Sequence, residues 1–250
     1  MLTRDHVQAF EAEGSCLVEN LFSPAEVAAL VAAADHDAKP VFDMPDAQGR
    51  SSKLSLWSEQ LDDVFGLVTR STRVVSGARM LLGEDCYHWH SKIMRKEARV
   101  GGAWEWHQDY GYWYNDGCLY PRLVSCMIAL DAASPENGCL QVVPGSHHLG
   151  RLDHGGRGNQ AGADPERAAA AIARLGVKPC VMPPGSALFF HANLIHGSEA
   201  NTSERPRRAY ICCYNAFSNV PYGGKGHGKP EPIRLVGDEA ILQAASAMVG

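Results

Sequence analysis

The 250-residue sequence has no run of about 18 apolar residues, so nothing in it reads as a membrane-spanning helix. It has no basic excess either: 23 lysines and arginines face 28 acidic residues, and a net charge of −5 offers nucleic acid no positive field. The eight cysteines include no CxxC pair, which removes the usual spacing of a thiolate zinc site. Most fall in apolar runs such as VSCMIAL and YICCYN, and the expectation is reduced core thiols rather than a disulfide scaffold. The segment MLTRDHVQAFEAEG is charged and amphipathic, without the apolar core of a secretory signal, so a cytoplasmic protein is expected. There is no internal repeat and no linker between domains. A hydrophobic content of 45% suffices for one substantial core, and a single domain over residues 1–250 is expected. No oligomeric state follows from the sequence.

What is present divides the chain by pattern. Residues 1–85 read as mainly helical. FSPAEVAALVAAAD begins with a capping serine, Ser23, then Pro24 in the first turn and Glu26 closing a capping box, with Val27, Leu30 and Val31 on one face. A second helical stretch is predicted from Ser58 to Leu82, with a break possible at Gly66 or Gly77. From Cys86 to about residue 220, short segments rich in strand formers alternate with Gly, Pro, Asn and Asp, the pattern of a β-sandwich or barrel. A helix inserted near 164–175 has Asp164 as cap, Pro165 next and Gly176 at its end. Residues 221–250 read as a flexible loop, YGGKGHGKPEP, followed by a short helix, GDEAILQAASAM.

The chemistry gathers around AWEWHQDYGYW, Ala103 to Trp113. It holds three of the five tryptophans and two tyrosines, yet also His107 and Asp109, which are costly to bury unpaired. On a strand or at its end, period-two geometry puts His107 and Asp109 on one face, with Gln108 pointing away. A hydrogen-bonded core pair would give the same letters. As half of a metal site, the pair needs a third ligand, and FFHANLIHGSE offers His191 and His196. Two histidines and one carboxylate make the facial triad of non-haem Fe(II) oxygenases, with positions open for a co-substrate and O2. Arg207 follows His196 by eleven residues on the next strand, and its guanidinium suits a carboxylate. Arg205 and Arg208 read as a solvated cluster.

Several longer pieces fall in one order: HSKIMRKE, WHQDYGYW, NGCLQVVPGSHHLG and PPGSALFFHANLIHGSEANTSERPRRAY. Together they resemble the phytanoyl-CoA dioxygenase family of Fe(II)/2-oxoglutarate oxygenases, which includes ectoine hydroxylase. The resemblance implies a mainly β fold with flanking helices around a double-stranded β-helix (jelly-roll, cupin-like) core. It implies His107, Asp109 and His196 as iron ligands, Arg207 on the distal carboxylate of 2-oxoglutarate, and Ser198 as the small, cofactor-binding hydroxyl residue beside the distal histidine. Lys53 and Lys92 match co-substrate-contacting positions or are surface lysines, and Ser125 stands where some relatives place a tryptophan on the co-substrate wall. Tyr110 and Trp113 are candidates for a substrate wall or for ordinary core, and His90, with His88, for pocket lining or a core hydrogen bond. His147, His148 and His154 are expected on a mobile rim. The implied reaction is hydroxylation or a related oxidation of a C–H bond of a small-molecule substrate, releasing succinate and CO2. Asp109 disfavours halogenation, which in related enzymes requires a small residue there. A non-catalytic 2-oxoglutarate or metal sensor, and a cupin-like metal isomerase or hydrolase, stand as alternatives.

Overall fold

A computed structural model describes residues 1–36, 39–157, 160–224 and 226–247. In chain order the elements are α1 (Arg4–Glu13), β1 (Ser15–Val18), α2 (Pro24–Asp35), β2 (Phe42–Pro45), β3 (Ser51–Trp57), α3 (Val64–Arg70) and α4 (Thr72–Leu82). Then come β4 (Cys86–Lys96), β5 (Trp104–His107), α5 (Asp109–Trp113), β6 (Leu123–Ala129), β7 (Gln141–Val142), β8 (His154–Arg157) and β9 (Gln160–Ala163). The chain closes with α6 (Pro165–Leu175), β10 (Lys178–Pro179), β11 (Ala187–His191), β12 (His196–Ser198), β13 (Arg207–Ala216) and α7 (Ala240–Ala247).

Seven strands form a major antiparallel sheet in the order β1-β11-β6-β13-β4-β3-β2. Four short strands, β10-β7-β12-β5, form a minor sheet that faces it, and β8 pairs with β9 in a separate hairpin. The two facing sheets are the jelly-roll core. Strand alternation sorts the major sheet's side chains into two layers. Cys126, Ile128, Phe189, Tyr210 and Cys212 point out, into a core with Phe10, Leu30, Phe65 and Val68 from the helices. Met127, Leu188, Phe190, Ile211 and Cys213 point in, toward the minor sheet. Each fully buried Leu, Val, Ile or Phe stabilises such a core by roughly 1.5–3 kcal/mol.

The local signals behave as their chemistry requires. Ser23 Oγ accepts from the Glu26 amide at 3.3 Å, and Glu26 Oε2 accepts from the Ser23 amide at 2.7 Å, so α2 starts on a closed capping box. Asp164 caps α6 by accepting from the Arg167 amide at 2.9 Å. The stretch predicted as helix from Ser58 is corrected at both points. Helix begins at Val64, where Asp63 accepts from the Gly66 amide at 2.8 Å, and the break falls at Ser71 rather than at either glycine. The early chain also contributes β1, β2 and β3 to the major sheet, which its helical reading did not contain. Lys225 of the predicted loop and Met248 of the predicted last helix lie outside the described residues. Among the described residues, no helix is long and apolar enough to cross a membrane.

Candidate metal centre and carboxylate pocket

His107 is the last residue of β5 and His196 the first of β12, and the two are directly paired across the minor sheet. Opposite residues on neighbouring strands share a face, and here the two ring centroids lie 4.1 Å apart. Asp109 reaches them by a route that the sequence did not show. The strand stops at His107, Gln108 keeps an extended backbone, and Asp109 opens α5. The carboxylate therefore converges through a strand-to-helix switch, not through period-two alternation. Asp109 Oδ1 lies 3.6 Å from His107 Nε2 and 3.9 Å from His196 Nε2. Ligand atoms of these three buried residues all lie within 4.8 Å of one another, and among the described residues no other such group of His, Cys, Asp or Glu occurs.

The remaining atoms of the triad are already engaged. His107 Nδ1 hydrogen-bonds the Glu105 carbonyl at 2.8 Å and His196 Nδ1 the Leu194 carbonyl at 2.9 Å. Each imidazole thus donates through Nδ1 and turns the lone pair of Nε2 toward Asp109, the tautomer a metal ligand needs. Burial, and then the nearby His107, pushes His196 down to about 3, so it stays neutral. Burial alone would raise Asp109, but the nearby Lys92 charge outweighs it and holds the carboxyl well below its usual range. Ser125 Oγ donates to Asp109 Oδ2 at 3.2 Å, leaving Oδ1 as the oxygen that faces the histidines. Two neutral nitrogens and one carboxylate oxygen, buried and convergent, fit a divalent ion such as Fe(II).

Beside the triad, between the two sheets, lies a pocket that includes Lys92, Lys96, Trp104, His107, His196, Ser198 and Arg207 in its walls. Met94, Met127, Leu140, Phe190 and Ile211 make the rest of its surface apolar. Arg207 is 4% exposed and has no carboxylate partner among the described residues. Its Nη2 donates to the Gly138 carbonyl at 2.5 Å, while its Nε has no partner among the described residues. Burial lowers the guanidinium to about 10, which leaves it charged. Gly138 has φ +71, and a Cβ there would lie 2.4 Å from the Glu199 carbonyl oxygen, so the NG turn must be glycine for the Gly138 carbonyl to reach Arg207. Arg208, one residue on, faces the other way and pairs with Asp131 at 2.8 Å.

Other sequence-predicted residues sort by register. Lys92 lines the pocket, its Nζ 4.0 Å from Asp109 Oδ1. Lys53 does not line it. Lys53 pairs with Arg95, whereas the pocket face of β4 carries Lys92, Met94 and Lys96, so Lys53 stands exposed on the opposite face. Ser125 supports Asp109 and Cys213 instead of walling the co-substrate pocket. On α5, Tyr112 and Trp113 share the face of Asp109, and the Tyr112 ring lies 5.4 Å from His107. Tyr110 points elsewhere, its hydroxyl donating to the Leu119 carbonyl at 2.6 Å. Trp113 meets His90 edge-on at 5.6 Å, and both ring nitrogens of His90 are buried without a partner among the described residues. His191 packs against Phe10 and His147, away from the triad.

Three residues with a part here were missed by sequence reasoning. Lys96 is 1% exposed in the pocket wall, and the shared parity of Lys92 and Lys96 on one strand is the signal that could have found it. His154, expected on a rim, accepts from the Gln108 amide at 3.0 Å and packs on Gly111, where a Cβ would lie 2.0 Å from its ring. Gln108 itself is fully buried. Its Nε2 donates to the Asn193 carbonyl at 2.9 Å and its Oε1 accepts from the Leu152 amide at 2.7 Å. It thereby ties the strand-to-helix switch to the loop that leads into His196. Gln108→Ala leaves those two backbone groups unpaired and is expected to cost about 1–3 kcal/mol for each group that stays buried, measured by chemical denaturation.

A jelly roll with a buried two-histidine, one-carboxylate face, beside an arginine that has no carboxylate partner among the described residues, defines the class of non-haem Fe(II)/2-oxoglutarate oxygenases. The phytanoyl-CoA dioxygenase (PhyH) family model matches residues 10–209. L-proline trans-4-hydroxylase from Streptomyces griseoviridis is 35% identical over 176 residues, 64% of this chain and 66% of that enzyme. Ectoine dioxygenase from Bordetella bronchiseptica is 30% identical over 96% of this chain and 84% of its own length. Among solved structures, EctD from S. alaskensis with 2-oxoglutarate and 5-hydroxyectoine superposes with a TM-score of 0.76 at 26% identity, covering 94% of this chain and 88% of that one. The chain belongs to the phytanoyl-CoA dioxygenase family.

Proposed function

We propose that the protein is an Fe(II)- and 2-oxoglutarate-dependent dioxygenase that hydroxylates a C–H bond of a small, free metabolite of the cyclic amino-acid type. The observation that carries this reading is Arg207, a buried cation in the same pocket as the triad and without a carboxylate partner among the described residues. L-proline trans-4-hydroxylase and ectoine dioxygenase, two relatives with different substrates, support the substrate class. His107, Asp109 and His196 hold the iron, and Arg207 with Ser198 holds the distal carboxylate of the co-substrate. When bound, iron and 2-oxoglutarate together supply the oxidising chemistry, in which O2 converts the keto acid to succinate and CO2 and one oxygen atom enters the substrate.

The chain's own residues set the conditions for that chemistry. Nδ1 hydrogen bonds keep both imidazoles in the ligating tautomer, and Ser125 fixes which Asp109 oxygen faces the ion. Leu140, Met127, Phe190 and Ile211 keep the co-substrate pocket dry, which limits wasteful oxidation. Trp113 and His90, with its two unpartnered nitrogens, form the substrate wall. A cupin-like isomerase or hydrolase would have no use for Arg207. The eight free, buried cysteines suit a reducing compartment, and we place the protein in the cytoplasm.

The test is anaerobic loading with Fe(II), addition of 2-oxoglutarate and O2, and measurement of succinate with L-proline, ectoine and related cyclic amino acids. The expected outcome is succinate formation that depends on iron and rises with one of these substrates, alongside a hydroxylated product. Absence of 2-oxoglutarate binding and of any stimulated turnover across the panel would reject the reading.

A further inference from the structure

Lys96 and Arg207 sit directly opposite each other on β4 and β13, both almost fully buried and both lining the pocket beside the triad. Among the described residues neither forms an ion pair. Lys96 Nζ instead donates to Ser198 Oγ at 2.8 Å and to the Glu199 carbonyl at 2.5 Å. A lysine ammonium has donors only, whereas a serine hydroxyl has one proton and two acceptor sites. Once Ser198 Oγ accepts from Lys96, its own proton has to be directed elsewhere. No other hydrogen bond of Ser198 Oγ to the described residues is present, and Ser198 lines the same pocket as Arg207.

We infer that Lys96 is a positioning residue for the co-substrate: it fixes Ser198 Oγ as an acceptor on one side, so that the hydroxyl proton is presented to the carboxylate held by Arg207. This inference rests on the reading of Arg207 as the carboxylate anchor. The buried Arg207 charge, with an amine beside it that can take up a proton, also makes the pocket select for an added negative charge. Burial and the Arg207 charge lower Lys96 to about 6 in the empty pocket, and an arriving carboxylate favours the charged amine again. The pair thus selects a keto acid with a second, distal carboxylate over one without it. Lys96 does not touch the triad, and acts through Ser198.

The experiment is anaerobic calorimetry on the Fe(II)-loaded protein with 2-oxoglutarate and with 2-oxobutyrate, which lacks the distal carboxylate. Lys96→Met keeps the unbranched stem of the side chain and removes its charged end. It is expected to weaken 2-oxoglutarate binding at least about tenfold, the size of one charge-assisted hydrogen bond, and to leave 2-oxobutyrate binding unchanged. Ser198→Ala is expected to weaken 2-oxoglutarate binding similarly, and the double variant to be less impaired than the product of the two single effects. An unchanged 2-oxoglutarate affinity in Lys96→Met, an equal loss for both keto acids, or independent effects in the double variant would overturn the inference. If Lys96→Met does not fold, as judged by its melting transition, Lys96→Gln, which keeps a donor for Ser198, is tested against the same two keto acids. Arg207→Ala separates the two levels. Should it retain 2-oxoglutarate affinity, the anchor reading fails; should it lose affinity while Lys96→Met does not, only the role of Lys96 fails.

Discussion

Asp109→Ala is expected to abolish iron-dependent oxidation and to weaken Fe(II) binding by more than about 100-fold, since losing even an outer-shell partner of a metal ligand costs 10–100-fold. Asp109 supplies the only anionic donor among the triad, and its Oδ1 faces both imidazoles within 4 Å. Without it, two neutral nitrogens remain, and nothing balances the ion's charge in a buried site. The fold itself is expected to survive, because the helix that follows is anchored by the Tyr110 amide donating to the Ala192 carbonyl at 2.9 Å and by the Tyr112 hydroxyl donating to the Ala161 carbonyl at 2.5 Å. Equilibrium dialysis with Fe(II), paired with a melting curve, checks both halves. Retention of tight iron binding with normal turnover would contradict the assignment of the site.

Arg207→Ala is expected to act on the co-substrate and not on the ion. Removing one partner of a buried, hydrogen-bonded charge pair typically costs about 2–5 kcal/mol, or roughly 30- to 5,000-fold in affinity. The whole of that loss should appear in the KM and Kd for 2-oxoglutarate, with Fe(II) affinity unaltered, since Arg207 touches the Gly138 carbonyl and no triad residue. Arg207→Lys recovers only part, because an ammonium cannot reproduce a bidentate fork. The two variants therefore produce opposite patterns: one loses metal and keeps the carboxylate anchor, the other the reverse.

The contrast between residues that short motifs singled out and residues that they missed has a physical basis. His107, Asp109, His196 and Arg207 belong to residue types that few folds bury unpaired, so short motifs sufficed to find them. The caps Ser23 and Asp164 are equally local, since each bonds an amide three residues ahead. Lys53 was misjudged because motif spacing carries no information about which face of a sheet a residue takes, and that face is decided by pairing with Arg95 on β4. Lys96 escaped notice because its partner Ser198 is 102 residues away, and a lysine in a strand looks like a solvated one until the register with Arg207 is known. The route of Asp109 was concealed for another reason. Aromatic-rich WEWHQDYGYW favours extended chain throughout, whereas the strand-to-helix switch after His107 is held by tertiary bonds of Gln108 to Asn193, Leu152 and His154, which the sequence does not display.

The carbonyl clamps on His107 and His196 bear on how the protein behaves through repeated loss and regain of its ion. Because Glu105 and Leu194 hold the rings, and strand pairing sets their separation, the receptacle is completed by folding rather than by chelation. An emptied molecule is therefore expected to keep its shape and to be refilled without passing through a disordered form. Stripping the ion should thus silence the protein reversibly, with little change in its resistance to heat or proteolysis.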